Sequence, residues 1–374
     1  NIGYACWSHD IGGHMHGATD PELTTRWVQF GTFSPILRLH SSDNPFMEKE
    51  PWKFPPENAQ VITRFLRLRH RLVPWLYAQH LRCCAQGEML LRPLYFDAPE
   101  DRAAYHAKNQ YMLGDCVTVR PVTKTRDLEA QLAPAEVYVP AGEWIDFFTG
   151  WRYWGGRRLN MYRPLERMPV LVKAGGILPM DGDEIPKNGA PLPENVLLRF
   201  FAGADGETVL AEDNGSLPPQ SPQYSRVATT IRMTYGTGLR IEILPPQGER
   251  SLLPAGRRYT VEINGIGNRL PDACGCGYTA QYDADRRALT LALDQEAIHG
   301  VSISWAEMPA APALDWRDRL RQLLLSARID FDRKGQAMQI AQRNDDPASF
   351  LAELHLTGLP SALYGAILEM LSAH

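Results

Sequence analysis

The sequence predicts an α/β region, then an all-β region, then a short helical tail. Strand-length and helix-length apolar segments alternate over the first 87 residues, short segments bounded by turn residues follow to about residue 308, and helix-forming residues dominate after that. At 374 residues the chain is long enough for several domains with their own cores. These changes of pattern predict four domains, at residues 1–87, 88–181, 182–308 and 309–374.

The α/β region begins with an apolar segment, residues 2–7, which predicts a buried strand that opens into the polar, glycine-containing segment 8–13. His9 and Asp10 are then expected at the carboxyl end of this strand. A helix is predicted at residues 21–33, because Asp20 is a good cap and Pro21 suits the first helical position. The residues predicted to face a sheet from this helix are Leu23, Trp27, Phe30 and Gly31.

A second strand is predicted at residues 35–40 and a long helix at residues 57–84. Two parallel strands joined by a helix bring both carboxyl ends to the same edge of a sheet. Pro74 lies inside the long helix and predicts a kink there. The predicted buried face of this helix consists of Val61, Ile62, Phe65, Leu68, Leu72, Trp75 and Leu76. The arginines between them are interpreted as a solvated outer face rather than a nucleic-acid stripe: Arg64, Arg67, Arg69 and Arg71.

The all-β region and the tail are predicted from turn residues and from helical periodicity. Strands are predicted at residues 90–96, 116–121, 136–139, 170–173, 196–202, 208–211, 228–235, 239–244, 259–263 and 288–293. The aromatic residues within 144–154 suggest a sugar-binding platform or core packing, and core packing is the favoured interpretation. Residues 212–215 predict a hairpin turn rather than a calcium site. Helices are predicted at residues 314–331 and 347–371.

Short motifs along the first half of the chain carry a family resemblance. They are Ser8-His9-Asp10-Ile11-Gly12-Gly13, Pro21-Glu22-Leu23, Arg26-Trp27-Val28-Gln29, Arg38-Leu39-His40, Glu50-Pro51-Trp52, Leu72-Val73-Pro74-Trp75-Leu76-Tyr77, Arg92-Pro93-Leu94, Gln110-Tyr111-Met112-Leu113-Gly114-Asp115, Gly142-Glu143-Trp144-Ile145-Asp146 and Ala174-Gly175-Gly176-Ile177-Leu178-Pro179. In this order and spacing they resemble glycoside hydrolase family 31, the α-glucosidase and α-xylosidase family. The resemblance is fainter at Glu212-Asp213-Asn214-Gly215 and does not reach the helical tail.

The resemblance implies that residues 1–87 form the last two units of a (β/α)8 barrel, followed by a proximal and a distal β-sandwich domain. Family members cleave α-linked sugars with retention, using one aspartate as nucleophile and another as general acid/base. Both aspartates lie on barrel strands that precede the Asp-Ile-Gly-Gly loop, and here that loop begins at Asp10. The resemblance therefore implies a carboxyl-terminal portion with no catalytic residue of its own, and we expect the isolated chain to be inactive.

The resemblance also assigns three substrate-binding residues. His40 matches a histidine that hydrogen-bonds the sugar, Asp10 matches an aspartate that supports this pocket through an arginine expected outside the chain, and His14 replaces an aromatic residue. Without the resemblance, Asp10 fits a turn brace equally well and His40 fits a structural hydrogen-bonding role. A metal site built from His9, Asp10, His14 and His16 is disfavoured, because their spacing matches no established ligand pattern.

Charge and hydropathy argue against nucleic acid and membrane as partners. A net charge of −4 gives no basic surface for nucleic acid, and no segment approaches the roughly 20 apolar residues that span a membrane. The six cysteines form no CxxC pair, which favours free thiols and a reducing, cytoplasmic compartment without fixing it. No cofactor or metal is expected. Glu22, Glu48 and Glu50 are interpreted as helix-start and loop charges rather than a new acid/base pair with Asp10.

The predicted function is therefore that of a fragment of a retaining, α-glucosidase-like glycoside hydrolase acting on an α-linked oligosaccharide or glycoside. The alternatives are a non-catalytic carbohydrate-binding or scaffold module and one half of a split enzyme. Two barrel strands alone would leave open edges and apolar faces. The missing barrel half, or a second copy of the chain, is the expected protein partner.

Overall fold

The structure is a computed structural model that describes residues 6–13, 16–185, 189, 192–216, 223–311 and 315–374. Its α/β region contains the parallel strands β1 (Ser8–Ile11) and β2 (Ile36–Leu39), in the register that places Ser8 opposite Ile36. Helix α1 (Pro21–Thr32) connects them. The predicted strand–helix–strand order with parallel strands is therefore present.

Helix α1 packs closely against the strand pair at Gly31. A Cβ atom at this position would lie 2.6 Å from Leu37 Cδ1 and 2.8 Å from Ile11 Cδ1, so glycine permits the contact. Asp20 caps the helix by accepting a hydrogen bond from the Leu23 backbone N–H at 3.0 Å. The predicted sheet-facing position of Leu23 is wrong, because this side chain is 56% exposed.

The first strand also differs from its prediction. The structure begins β1 at Ser8 and leaves Trp7 outside it, whereas the apolar segment 2–7 was the predicted strand. Residues 2–5 lie outside the described part of the chain. His9 and Asp10 consequently lie within β1 rather than beyond its end. Hydrophobicity alone places the strand too early, because the buried face of β1 includes the polar residue His9.

The predicted long helix is two helices, α2 (Pro56–Arg71) and α3 (Val73–Gln86), separated at Leu72. The break lies two residues before Pro74, whose ring and missing N–H disfavour a continuous helix. The predicted apolar face is buried, with Ile62 and Leu72 both 0% exposed. It packs against the first β-rich region in one shared core.

The arginines of this helix pair are not simply a solvated face. Arg64 donates to the Glu166 carbonyl at 2.6 Å, and Arg71 donates to the Asp181 carbonyl at 3.0 Å. Arg69 donates to the carbonyl oxygens of residues 32, 34 and 35, where α1 leads into β2. The predicted role of these three side chains is corrected: they bridge chain segments by satisfying backbone acceptors.

The first β-rich region contains two sheets. Its strands are β3 (Leu91–Arg92), β4 (Tyr111–Leu113), β5 (Val117–Val119), β6 (Ala133–Val139), β7 (Glu143–Asp146), β8 (Arg152–Trp154), β9 (Arg157–Arg163) and β10 (Val170–Lys173). The larger sheet has the order β3-β4-β5-β10-β7-β8, and β6 pairs with β9. One apolar core lies between the β6–β9 pair and the larger sheet, and another lies between that sheet and the helices.

Two predictions in this region have different outcomes. The strand predicted at residues 90–96 is wrong beyond Arg92, since Leu94–Phe96 is a 3-10 helix that follows Pro93. Core packing of the aromatic cluster is confirmed for Trp144 and Tyr153, which are 2% and 0% exposed. Trp154 at the end of β8 is 58% exposed.

The second β-rich region also contains two facing sheets, an arrangement consistent with a β-sandwich. Its strands are β11 (Ile177–Asp181), β12 (Asn195–Phe201), β13 (Gly206–Asp213), β14 (Arg226–Tyr235), β15 (Leu239–Ile243), β16 (Gln247–Gly248), β17 (Arg258–Asn264), β18 (Ala273–Cys274), β19 (Tyr278–Asp283), β20 (Ala288–Glu296) and β21 (Val301–Trp305). The sheet orders are β11-β12-β17-β20-β19 and β13-β14-β15-β21-β18, with β16 beside β14. The hairpin turn predicted at 212–215 lies where β13 ends at Asp213 and the connection to its antiparallel neighbour β14, which begins at Arg226, starts.

The part of the tail that the structure describes contains four helices instead of the two predicted: α4 (Trp316–Ser326), α5 (Phe331–Arg343), α6 (Pro347–His355) and α7 (Ser361–Ser372). Asp346 caps α6 by accepting the Ser349 N–H at 2.8 Å, as its position before Pro347 predicts. The helices share a core with Ala130 and Leu132, so the tail packs on the first β-rich region. No helix in the described part of the chain combines the length and apolar character needed to cross a membrane.

Candidate functional site

The β1–β2 pair has two unlike faces, because successive side chains of a strand point to opposite sides. His9 and Ile11 are 6% and 0% exposed on the side that α1 covers. Ser8 and Asp10 of β1 are opposite Ile36 and Arg38 of β2, and these four residues are more exposed. Within the described residues, this second face is therefore open.

Asp10 and Arg38 form a two-point ion pair across the open face. Arg38 Nε lies 2.6 Å from Asp10 Oδ1, and Arg38 Nη2 lies 2.8 Å from Oδ2. Parallel hydrogen bonds of this kind orient both groups. The guanidinium of Arg38 lowers the pKa of Asp10 to about 2. Within this chain, Asp10 is therefore held by Arg38, and a second supporting arginine outside the chain stays a prediction.

His40 is the first residue after β2 and continues the edge. Its backbone N–H donates to the Ile11 carbonyl at 3.0 Å, which fixes His40 beside the end of β1. The side chain is half-buried, and its electrostatic influence contributes to the lowered pKa of Asp10. Asp10, Arg38 and His40 thus share one edge of the sheet, whereas His14 lies outside the described residues.

Glu22 and Glu48 each pair with a basic residue rather than with Asp10. Glu22 accepts hydrogen bonds from Arg126, and Glu48 lies 2.6 Å from Lys53 Nζ. Among the described residues, no group of three or more His, Cys, Asp or Glu side chains is arranged to hold a metal ion. The polar side chains on the open face are those of Ser8, Asp10 and Arg38.

His9 is held on the covered face by a chain of hydrogen bonds that the sequence did not reveal. The Trp27 indole N–H, which can only donate, lies 2.9 Å from His9 Nε2. Nε2 must accept, so Nδ1 carries the proton and donates to Ser34 Oγ at 2.8 Å. Ser34 in turn donates to the Phe30 carbonyl at 3.2 Å. The neutral imidazole therefore fixes β1 to helix α1 directly behind Asp10.

Burial reinforces the neutral form of His9. It lowers the pKa of this imidazole to about 4, although the nearby Asp10 carboxylate acts in the opposite direction. The ring also makes an edge contact with Phe30, at 4.4 Å between ring centroids. His9 is consequently a structural residue of the site and is unsuited to metal binding on the open face.

Protein-family models match two parts of the chain. Residues 1–79 match the glycosyl hydrolases family 31 TIM-barrel domain, and residues 87–178 match the glycosyl hydrolase family 31 C-terminal domain. The first match contains the β1–β2 edge with Asp10, Arg38 and His40. The second contains the sheets of the first β-rich region.

Curated relatives agree with these matches. The chain is 35% identical over 218 residues to an alpha-xylosidase of Saccharolobus solfataricus, covering 57% of this chain and 29% of the relative. It is 31% identical over 238 residues to alpha-glucosidase 2 of Bacillus thermoamyloliquefaciens, covering 63% of this chain and 29% of that relative. The chain thus spans less than a third of the length of these relatives.

Solved structures show the same relationship. A family 31 alpha-xylosidase from Xanthomonas citri aligns with a TM-score of 0.55 and 30% identity, over 65% of this chain and 26% of that chain. A family 31 dextranase of Flavobacterium johnsoniae, complexed with glucose, aligns with a TM-score of 0.63 at 22% identity over 76% of this chain and 37% of that chain, and shows likeness of fold. The motifs, both domain matches and the relatives agree: residues 1–79 and 87–178 match two domains of glycoside hydrolase family 31, and the chain corresponds to a carboxyl-terminal portion of its relatives.

Proposed function

We propose that this chain forms the carboxyl-terminal part of a retaining α-glycoside hydrolase, with Asp10, Arg38 and His40 on the wall of its sugar pocket. The observation that carries this proposal is the Asp10–Arg38 pair beside His40, at the carboxyl edge of two parallel strands. Barrel enzymes place their chemistry at this edge. The named relatives support an α-glucoside or α-xyloside as the substrate class.

The open face of β1–β2 supports the presence of further barrel strands in the working enzyme. Parallel sheets are normally covered on both faces, and a two-stranded sheet has little stability alone. Here Ile36 is 48% exposed on the face away from α1. Strands supplied by polypeptide outside residues 1–374 would bury this face, whether they belong to the same chain or to a second one.

Each residue of the wall has a separate part in the proposed pocket. Arg38 donates to Asp10 through Nε and Nη2. Its Nη1 group carries two further N–H donors, which can bind a sugar hydroxyl. Asp10 holds that guanidinium in place, and His40 hydrogen-bonds the sugar. His14, on the segment after β1, is proposed as a further sugar contact.

The bond-breaking groups are proposed to come from outside this chain. Retaining hydrolysis uses two carboxyl groups about 5 Å apart, one attacking the anomeric carbon and the other protonating the leaving oxygen. The family resemblance places both on earlier barrel strands. The wall described here would orient the sugar between them, so that loss of Asp10 or His40 impairs catalysis without removing either reacting group.

The finer domain organisation is part of the same proposal. We assign residues 1–87 to the last two units of the barrel, 88–181 and 182–308 to proximal and distal β-sandwich domains, and 309–374 to the helical appendage. The cores shared by the helices and the larger proximal sheet support close association of the first two domains. The facing sheets of the second β-rich region support the distal sandwich.

The test compares two purified proteins on 4-nitrophenyl α-glucoside and α-xyloside. The 374-residue chain alone is expected to show only background release of nitrophenol. The polypeptide isolated from the source cells, or this chain combined with the earlier barrel strands, is expected to turn over at least one substrate. Robust turnover by the 374-residue chain alone would contradict the proposal.

Variants of the active form then test the wall. His40→Ala and Asp10→Asn are expected to lower kcat/KM by at least tenfold, because each removes a contact that positions the sugar. Asp183→Asn changes an exposed carboxylate beyond β11 and serves as the matched control, with expected activity within twofold. Unchanged activity of both wall variants would exclude Asp10 and His40 from the pocket.

A further inference from the structure

A concave site lies on the first β-rich region, and none of its lining residues belongs to β1 or β2. It is a cleft of about 530 Å³, within the usual range for small-molecule sites. Strands β6 and β9 form its floor, where Glu136 is opposite Asn160 and Tyr138 is opposite Arg158. Residues 106–109 and the segment after β5 complete the lining.

The charged side chains that line this cleft are mostly cationic. Four cationic side chains line it, Lys108, Arg120, Lys124 and Arg158, against the single carboxylate of Glu136. Glu136 is already paired with Arg158, at 2.8 Å between Oε1 and Nη1. All Asp and Glu residues of the chain lie in the described part, and none has an oxygen within 4.0 Å of a side-chain nitrogen of the other three cations. Among the described residues, Lys108, Arg120 and Lys124 therefore have no carboxylate within ion-pairing distance.

Arg120 gives this cleft a fixed, nearly buried cation. The residue is only 9% exposed, and burial lowers the pKa of its guanidinium. Its Nε donates to the Glu136 carbonyl at 2.9 Å, and its Nη1 donates to the Pro121 carbonyl. Nη2 makes no hydrogen bond to any described residue, so one side of the guanidinium remains available to a ligand. Two backbone contacts thus hold the group in one orientation.

We propose that this cleft binds the oxyanion group of a small ligand, a phosphate, sulfate or carboxylate carried on a sugar. Arg120 would supply the oriented hydrogen bonds, while Lys108 and Lys124 would supply flexible charge. The amides of Asn109 and Asn160 also line the cleft and can pair with hydroxyl groups. The sugar part of the proposal rests on the proposed function, whereas the oxyanion part does not.

The experiment is calorimetric titration of the 374-residue chain with four probes: inorganic phosphate, glucose 1-phosphate, glucuronate and uncharged glucose. Saturable binding is expected for at least one anion, with glucose far weaker and affinity falling as salt rises. Lys108→Glu and Lys124→Glu are each expected to raise Kd at least tenfold. Both lysines are exposed, so folding should be preserved.

Lys173→Glu is the matched control, since it reverses an exposed lysine outside the cleft lining and should change Kd by less than twofold. Tighter binding of glucose 1-phosphate or glucuronate than of phosphate supports a sugar-borne anion; equal binding supports the oxyanion part and overturns the sugar part. Absence of saturable anion binding, or an equal effect of K173E, overturns the whole proposal. None of these readouts requires glycosidase activity.

Discussion

Arg163 and Glu369 form a buried ion pair between strand β9 and the last helix, with Arg163 Nη1 2.6 Å from Glu369 Oε1. Their side chains are only 5% and 3% exposed. Arg163 also donates to Asp146, and Glu369 also accepts from the Tyr153 hydroxyl at 2.9 Å. These contacts fix the helical tail to the first β-rich region through polar groups that have little access to solvent.

Breaking this pair is expected to destabilise the chain strongly. Arg163→Met leaves the carboxylates of Glu369 and Asp146 buried without their cation, which typically costs about 3–5 kcal/mol. Urea unfolding measures the loss. Glu353→Gln, which breaks the exposed Arg343–Glu353 pair of the same tail, is the control and should cost no more than about 1 kcal/mol. Equal effects of the two variants would show that Arg163–Glu369 does not stabilise the tail in this way.

Substitution of Arg319, unlike that of Arg163, is expected to stabilise the chain. Its guanidinium lies 4.0 Å from the Trp151 ring centroid, but Nη2 is buried and has no hydrogen-bond partner among the described residues. Burial and the neighbouring Arg287 lower the pKa of Arg319 to about 9. Arg319→Met removes the like-charge contact and keeps an apolar side chain against the indole. We expect the free energy of unfolding to rise by about 1 kcal/mol.

The neighbouring Arg317 supplies the control for that substitution. Arg317 Nε donates to the Ala341 carbonyl at 2.9 Å, and Nη2 donates to Asn344 and Asp345. Arg317→Met in the same helix should therefore lower the free energy of unfolding by about 1–2 kcal/mol. If both arginine variants destabilise the chain, the favourable contact of Arg319 with Trp151 exceeds its burial cost.

Local sequence signals predicted the elements around the site because those elements depend on local chemistry. Asp20 and Pro21 placed the start of α1, and Pro74 marked the break between α2 and α3. The Asp10–Arg38 pair was not predicted, because it joins residues 28 positions apart and depends on strand register. The sequence indicated that two parallel strands pair, but it did not give the register that places Asp10 opposite Arg38.

Burial of polar side chains was equally hidden in the sequence. His9 was predicted among the polar residues at the end of the first strand, whereas in the structure it is buried between Trp27 and Ser34. Arg69 resembled a surface charge, yet it satisfies backbone carbonyls where α1 leads into β2. Long side chains can serve either role at the same helical position, so only the three-dimensional neighbours decide. The candidate site residues Asp10, His14 and His40 came from the family motifs, because periodicity does not identify binding residues.

The Asp10–Arg38 pair predicts an unusually acidic carboxyl group. In the 374-residue chain, the carboxyl carbon signal of Asp10 should titrate with a pKa of about 2. Its stabilising effect should be present above the ordinary pKa of 3.8 and be lost as the pH falls through 2. Arg38→Met should raise the pKa of Asp10 toward 3.8. The lowered pKa of Asp346, which depends on Ser349, should stay unchanged in the same spectra.

His9 predicts a loss of stability in mildly acidic solution. Its pKa is about 4 in the folded chain and has an ordinary value of 6.5, so the unfolded chain binds the extra proton first. The contribution of neutral His9 should be complete above pH 6.5 and should decline as the pH falls toward 4. Urea midpoints at pH 7.0, 5.5 and 4.5 measure the decline.

His9→Gln tests the same dependence with a side chain that does not titrate in this range. The glutamine carbonyl can accept from Trp27 while its amide donates to Ser34, which preserves the hydrogen-bond directions seen around His9. The variant should therefore lose less stability between pH 7.0 and 4.5 than the parent chain. His80 and His374, whose pKa values burial also lowers, should contribute the same decline to both proteins. An identical pH dependence in the two proteins would mean that His9 accepts a proton in the folded chain as readily as in the unfolded one, and that the indole of Trp27 does not hold it neutral.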